Sequence, residues 1–131
     1  MKIAKTSLSK SGVLTEYFAD GSVAARGKVA AGKKTGAWKY YFLNGKARAA
    51  GKFAGGKLTG AWKWYRENGE LLQTGSFDGE ERQMGVWKRY HPNGKLMDER
   101  TFAAGKKTGK LRKYDRNGKL TKTTGRKAPK S

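Results

Sequence analysis

Cysteine is absent from all 131 residues, which excludes disulfide staples and thiolate-ligated metals. Histidine occurs once, at His91, and a lone imidazole completes neither a catalytic triad nor a zinc site. Its place before Pro92-Asn93-Gly94 reads as part of a turn. Long apolar runs are missing as well. No stretch approaches the roughly 20 residues of a membrane span, and residues 1–8 lack the apolar core of a signal peptide. The default expectation is therefore a soluble, cytoplasmic protein. Acidic residues are few, 10 against 30 Lys and Arg. The two carboxylate pairs, Glu80-Glu81 and Asp98-Glu99, are made of adjacent residues. On a strand such neighbours point to opposite faces, so neither pair can work on one substrate.

Hydrophobic residues make up only 36% of the chain, a composition that by itself leans toward disorder. A repeat overrules it. Glycine recurs at Gly12, Gly36, Gly60, Gly85 and Gly109, at spacings of 24, 24, 25 and 24 residues. Two positions on come Leu14, Trp38, Trp62, Trp87 and Leu111, then Tyr17, Tyr41, Tyr65, Tyr90 and Tyr114. A turn dipeptide follows: Asp20-Gly21, Asn44-Gly45, Asn68-Gly69, Asn93-Gly94 and Asn117-Gly118. The return carries Val23, Ala47, Leu71, Leu96 and Leu120, then Val29, Phe53, Phe77 and Phe102, with Arg126 in the fifth copy. Asn-Gly between apolar runs signals a hairpin whose two turn residues both take φ > 0. The one extra residue lies between Phe77 and Gly85, in a loop.

The pattern G-x-W-x-x-Y-x-x-N-G-x-L-x-x-x-G-x-F, carried over about residues 12–125, resembles the MORN-repeat variant family of bacterial proteins. The resemblance implies antiparallel hairpins laid side by side in one sheet, with a binding role and no catalytic residues. Some members of that family are described as antitoxin components of toxin–antitoxin pairs. Leu14 and Leu111 depart from Trp, and Arg100 replaces the mid-strand Gly of the fourth copy, so the outer copies look like caps.

The expected fold is all-β: an elongated, single-layer antiparallel sheet of stacked β-hairpin repeats, about five of 24 residues each. At about 4.8 Å per strand, roughly 10 strands would extend 45–50 Å with a right-handed twist. Residues 1–11 form an N-terminal segment that could add an edge strand, 12–125 the repeat sheet, and 126–131 a basic disordered tail. Strict alternation places Trp62 and Trp64 opposite Lys63 and Tyr65. Trp and Tyr share a face only if a bulge intervenes. Without one, Trp, Leu and Phe occupy one face and Tyr stands among basic residues on the other.

Net charge is +20. Residues 1–66 carry +12, residues 67–104 carry −2, and residues 105–131 carry +10. The loops at Lys33-Lys34, Lys57 and Lys106-Lys107 share one sheet edge and should align as a row, interrupted by Glu80-Glu81-Arg82. A second basic series follows the Trp position at Lys39, Lys63, Lys88 and Arg112. Edge lysines resist edge-to-edge pairing of sheets, and a large field of one sign also attracts polyanions. Both readings stand. For the second, the candidate contacts are Lys33, Lys34, Lys39, Lys57, Lys63, Lys106, Lys107, Lys110, Arg112 and Lys113. Interleaved Tyr suits stacking on bases. The expected partner is nucleic acid first, an acidic protein second and anionic lipid third, with no small-molecule substrate, cofactor or metal.

Two matches to G-x-x-x-x-G-K, beginning at Gly27 and Gly51, are by-products of the repeat. Lys34 and Leu58 stand where a phosphate loop needs Ser or Thr, and no helix follows. Near-identical units also lack the asymmetric constellation that catalysis requires, so an enzyme is not expected.

Overall fold

The computed structural model describes residues 3–10 and 12–125, the side chain of Lys110 excepted. The basic tail at 126–131, including Arg126, lies outside the described residues. Among the described residues every regular element is a strand: β1 Lys5–Leu8, β2 Val13–Tyr17, β3 Val23–Ala30, β4 Lys33–Tyr41, β5 Ala47–Ala54, β6 Lys57–Tyr65, β7 Leu71–Phe77, β8 Gln83–Tyr90, β9 Leu96–Ala103, β10 Lys106–Tyr114 and β11 Leu120–Gly125. They form one open 11-stranded sheet in sequence order, with every neighbouring pair antiparallel. Ten intervals of about 4.8 Å make it about 48 Å across. It has one strand more than the ten expected, because β1 pairs with β2 along the N-terminal edge.

The turns correct one expectation. Gly45, Gly69, Gly94 and Gly118 take φ of 85 to 91°, but the residues before them do not share the positive φ. In each, the Gly N–H returns to the residue three before it, as from Gly69 to the Arg66 carbonyl at 2.9 Å. The loop is therefore a three-residue turn whose last residue is left-handed. Asn68 keeps an ordinary backbone and uses its Oδ1 to accept the Glu70 N–H at 2.9 Å. Turns with two positive φ values occur at the opposite sheet edge instead, at Ala31-Gly32, Gly55-Gly56 and Ala104-Gly105. The extra residue of the third copy converts the corresponding turn to a longer one, with Glu81 in the left-handed position at φ 61°.

One-residue bulges lie in the returning strands. The outgoing strands also lose register against the strand before them, at Gly36-Ala37, Gly60-Ala61, Gly85-Val86 and Gly109-Lys110, but by two residues, which leaves their parity unchanged. Tyr40 faces Ala49 and Tyr41 faces Ala47, which leaves Arg48 as the extra residue of β5. Leu72, Met97 and Thr121 are extra in the same way. The outgoing strand keeps its alternation, so Trp and the repeating Tyr stay on opposite faces. The bulge moves the aliphatic position instead: Leu71, Leu96 and Leu120 pair with Tyr65, Tyr90 and Tyr114. Leu therefore belongs to the Tyr face, not with Trp and Phe, because a one-residue slip reverses every side chain beyond it.

The Trp face holds the core. Trp38, Trp62 and Trp87 are buried, with 1%, 3% and 7% of their surface exposed. Each lies flat on the mid-strand glycine of the preceding copy: Trp38 on Gly27, Trp62 on Gly51, Trp87 on Gly75. A Cβ at any of those glycines would overlap the indole. Each indole N–H is also satisfied, by the carbonyls of Lys28, Lys52 and Ser76 at 2.9, 3.1 and 3.2 Å. The departures of the fourth copy are thus linked. Arg100 can replace glycine because the next copy brings Leu111, not Trp, to that place.

Trp38, Tyr40, Trp62, Trp64 and Trp87 form a continuous column of tilted rings, with successive centroids 5.5–6.3 Å apart. Phe53, Phe77 and Phe102 brace it edge-on at 5.2–6.2 Å. Both geometries lie in the favourable range for aromatic pairs. Neighbouring copies are tied at the turns too. Asn44 Nδ2 donates to the Glu67 carbonyl at 2.8 Å, Arg66 to the Tyr90 carbonyl at 2.9 Å, and His91 Nε2 lies 2.8 Å from the Tyr114 carbonyl. The single histidine is therefore a link between copies as well as a turn residue.

Candidate functional site

The Tyr face carries one transverse row through the sheet. Cross-strand partners, which share a face, run Thr15, Arg26, Lys39, Ala50, Lys63, Thr74, Lys88, Glu99, Arg112, Thr123 from β2 to β11. Lys39, Lys63, Lys88 and Arg112 stand on every second strand, so they recur about every 10 Å, with small residues between the first three. From Arg26 to Arg112 the row covers about 34 Å. Lys39 and Lys63 are exposed and no ion pair occupies them among the described residues. Glu99 is the one acid in the row. It accepts the Tyr114 hydroxyl at 3.1 Å and lies 3.7 Å from Arg112.

Beside the row, toward the Asn-Gly turns, stand the half-buried rings of Tyr41, Tyr65, Tyr90 and Tyr114. On the other side, Lys28 and Lys52 continue the charge on the same face. The Tyr face thus presents a field of cations bordered by phenol rings.

The sequence profile described as MORN repeat variant matches residues 58–78, 85–104 and 107–124, three successive copies of this hairpin. The chain belongs to the MORN-repeat family. No curated protein matches the sequence significantly. Among solved structures, a single-site mutant of S. aureus TarM, crystallised with Fondaparinux, alpha-GlcNAc-glycerol and UDP, superposes with a TM-score of 0.50 at 10% identity. The match covers 79% of this chain and 20% of that one. A GtfA/B complex bound to UDP and GlcNAc reaches 0.35 at 12% identity, over 90% of this chain and 23% of that one. The MORN sheet here thus spans about a fifth of those longer proteins, and the TarM likeness is one of fold.

Within the MORN sheet the sequence-selected residues divide between faces. Lys33, Lys39, Lys57, Lys63, Lys106 and Arg112 lie on the Tyr face, whereas Lys34, Lys107 and Lys113 lie on the Trp face through their pairing with Val29, Phe102 and Asp98. Lys33-Lys34 and Lys106-Lys107 are adjacent strand residues, so they cannot act as one cluster. Lys34 is engaged: its Nζ sits 4.8 Å from the Trp38 ring and 5.3 Å from those of Tyr40 and Phe53, and donates to the Tyr40 hydroxyl at 3.0 Å. The side chain of Lys110 lies outside the described residues.

The loop row carries acids at the third copy. There Arg82 takes the place of Lys57 and Lys106, but it is paired with Asp78 at 3.0 Å. Glu80 instead reaches back to Lys57 at 3.4 Å. Residues missed by sequence reasoning are Arg26, Lys28 and Lys52. Their strand parity was the only signal, and it becomes usable once the bulges are placed.

Proposed function

We propose that this MORN sheet is a non-enzymatic binding module whose Tyr face holds a polyanion, nucleic acid before others. The observation that carries the reading is the in-register row of Arg26, Lys39, Lys63, Lys88 and Arg112. An array of cations at about 10 Å intervals meets a phosphate backbone without any element that enters a groove, so contact is to charge and not to sequence. The adjacent Tyr rings favour an unpaired strand, whose bases can stack on them.

The test is fluorescence anisotropy of mixed-sequence DNA and RNA at several salt concentrations. Neutralising roughly 6–10 phosphates should cost about 10³–10⁵ in affinity between 50 and 200 mM salt. Replacing Lys39, Lys63 and Lys88 by Ser should reduce the slope on duplex by about 3, at about 0.9 per phosphate contact. Replacing Lys34 and Lys107, on the other face, should leave it unchanged. No binding at 50 mM salt sinks the nucleic-acid reading and shifts it to an acidic protein partner, such as the toxin of an antitoxin-type pair.

A further inference from the structure

The aromatic column of the Trp face ends at Trp87, and the surface beyond it is polar. The row that reads Ala25, Tyr40, Ala49 and Trp64 in the earlier copies continues as Gln73, Arg89 and Asp98 across β7, β8 and β9. In the row beside it Arg100 faces Trp87, at the place that Gly27, Gly51 and Gly75 hold in the preceding copies. In a third row Gln83 pairs with Phe77, as Lys34 does with Val29 and Leu58 with Phe53. With Phe102 these side chains line a depression of about 200 Å³.

Its two guanidinium groups differ. Arg89 donates from Nε to both carboxylate oxygens of the buried Asp98, at 3.0 and 3.1 Å, and from Nη2 to one of them, so its charge is neutralised and its position fixed. Arg100 has no such partner. No ion pair, hydrogen bond or aromatic ring engages its guanidinium among the described residues. Leu111 leaves room there for a side chain, but room alone does not call for a charge, and the fifth copy fills the same place with Thr124. A half-buried cation without a partner is unfavourable. The side-chain amides of Gln73 and Gln83 form no hydrogen bond among the described residues either. Trp87 and Phe102, edge to face at 6.0 Å, supply the apolar lining.

We propose that this cup receives an acidic side chain from an extended segment of a partner protein, its carboxylate on Arg100 and its flanking peptide groups on Gln73 and Gln83. The free guanidinium is a planar fork that matches a carboxylate with two parallel bonds. Each glutamine amide carries two N–H donors and a carbonyl acceptor, the complement of a peptide C=O and N–H. The charges that line the cup are Arg89 and Arg100 against Asp98, which leaves one positive charge for one carboxylate. Its volume is below the roughly 300–1,000 Å³ that bury a drug-sized ligand, so it suits a side chain held by a longer chain. From β7 to β9 is about 10 Å, the span of about three extended residues. Lys107 and Lys113 stand on the next strand of the same face and add attraction for an acidic segment. The cup is on the face opposite the Lys39–Lys63–Lys88 row, so it does not depend on the polyanion reading.

The experiment titrates the full, isotope-labelled chain with blocked pentapeptides that carry glutamate, glutamine or phosphoserine between alanines, and with acetate. NMR follows the side-chain amides of Gln73 and Gln83 and the indole N–H of Trp87, and calorimetry gives the Kd. The glutamate peptide should move these signals saturably and bind roughly tenfold or more tighter than the glutamine peptide or acetate. Arg100→Gln should abolish the preference for glutamate over glutamine without moving the thermal melt. Arg112→Gln, on the other face, should preserve it. Gln73→Ala combined with Gln83→Ala should lower the glutamate peptide to the affinity of acetate. The Ser variant of the Lys39 row should bind this peptide as wild type does while losing affinity for duplex, which keeps the two readings separable. Equal binding of acetate, tighter binding of the phosphoserine peptide, an unaltered glutamate preference in Arg100→Gln, or no saturable shift with millimolar peptide overturns the proposal.

Discussion

Placing a methyl group at Gly51 probes the joint between successive copies more directly than removing any aromatic ring. In Gly51→Ala the new Cβ would occupy space held by the Trp62 indole. Trp62 is 3% exposed, donates to the Lys52 carbonyl at 3.1 Å and is braced by Phe53 at 5.2 Å. Two responses are open. If the indole stays and the strands part, the cost is that of overpacking, about 1–3 kcal/mol. If the indole leaves, its site is emptied at about 3–5 kcal/mol. The cheaper route sets the outcome, so a loss of about 2–3 kcal/mol is expected. In a Trp62→Leu background the smaller side chain leaves room for the methyl, and Gly51→Ala should then cost less than about 1 kcal/mol. The chain already contains that combination, Arg100 with Leu111. The assay is urea denaturation of the four proteins of the cycle, where contacting residues couple by about 0.5–3 kcal/mol. Equal cost of Gly51→Ala in both backgrounds would refute the seat.

The turns and one carboxylate offer further tests. Gly69→Ala forces a side chain to φ 91° and should cost about 1–2 kcal/mol, whereas Gly79→Ala, with open space around it and no positive φ, should be neutral in the same melts. Asp115 is held below its ordinary pKa of 3.8, first by the Lys119 backbone N–H and then, against desolvation, by that of Asn117 and the charges of Lys119 and His91. A folded pKa below the unfolded one means stability present above about pH 3.8 and lost as pH falls through the folded value. Asp115→Asn keeps an acceptor without the charge. The stability gap between wild type and this variant should therefore move against wild type as pH falls below about 4, as read from denaturation midpoints.

Periodicity alone made the hairpins legible. Gly, Trp, Tyr and Asn-Gly recur at fixed spacing, and that spacing set the number of copies, the antiparallel order and the site of the inserted loop residue. It left open which face is buried, and the burial of Trp38, Trp62 and Trp87 decides that. One other feature was not readable as a period. The bulge residue of each returning strand, such as Arg48 or Leu72, has no shared residue type, since what defines it is a missing partner across the sheet. Its position decides which face Leu71 occupies.

The lysines illustrate the same limit at the surface. Lys33 and Lys34 look like one basic cluster when written in a line, yet they stand on opposite faces, and Lys34 spends its charge on three aromatic rings. Conversely, Arg26, Lys39, Lys63, Lys88 and Arg112 are spread over 87 positions of chain and become neighbours only through the register of the sheet. Sequence by itself determined which residues repeat, because repetition is a one-dimensional property. Tertiary structure alone decided which of them meet, because a bulge of one residue exchanges the two faces, and a glycine reveals its purpose only when the indole that lies on it is in place.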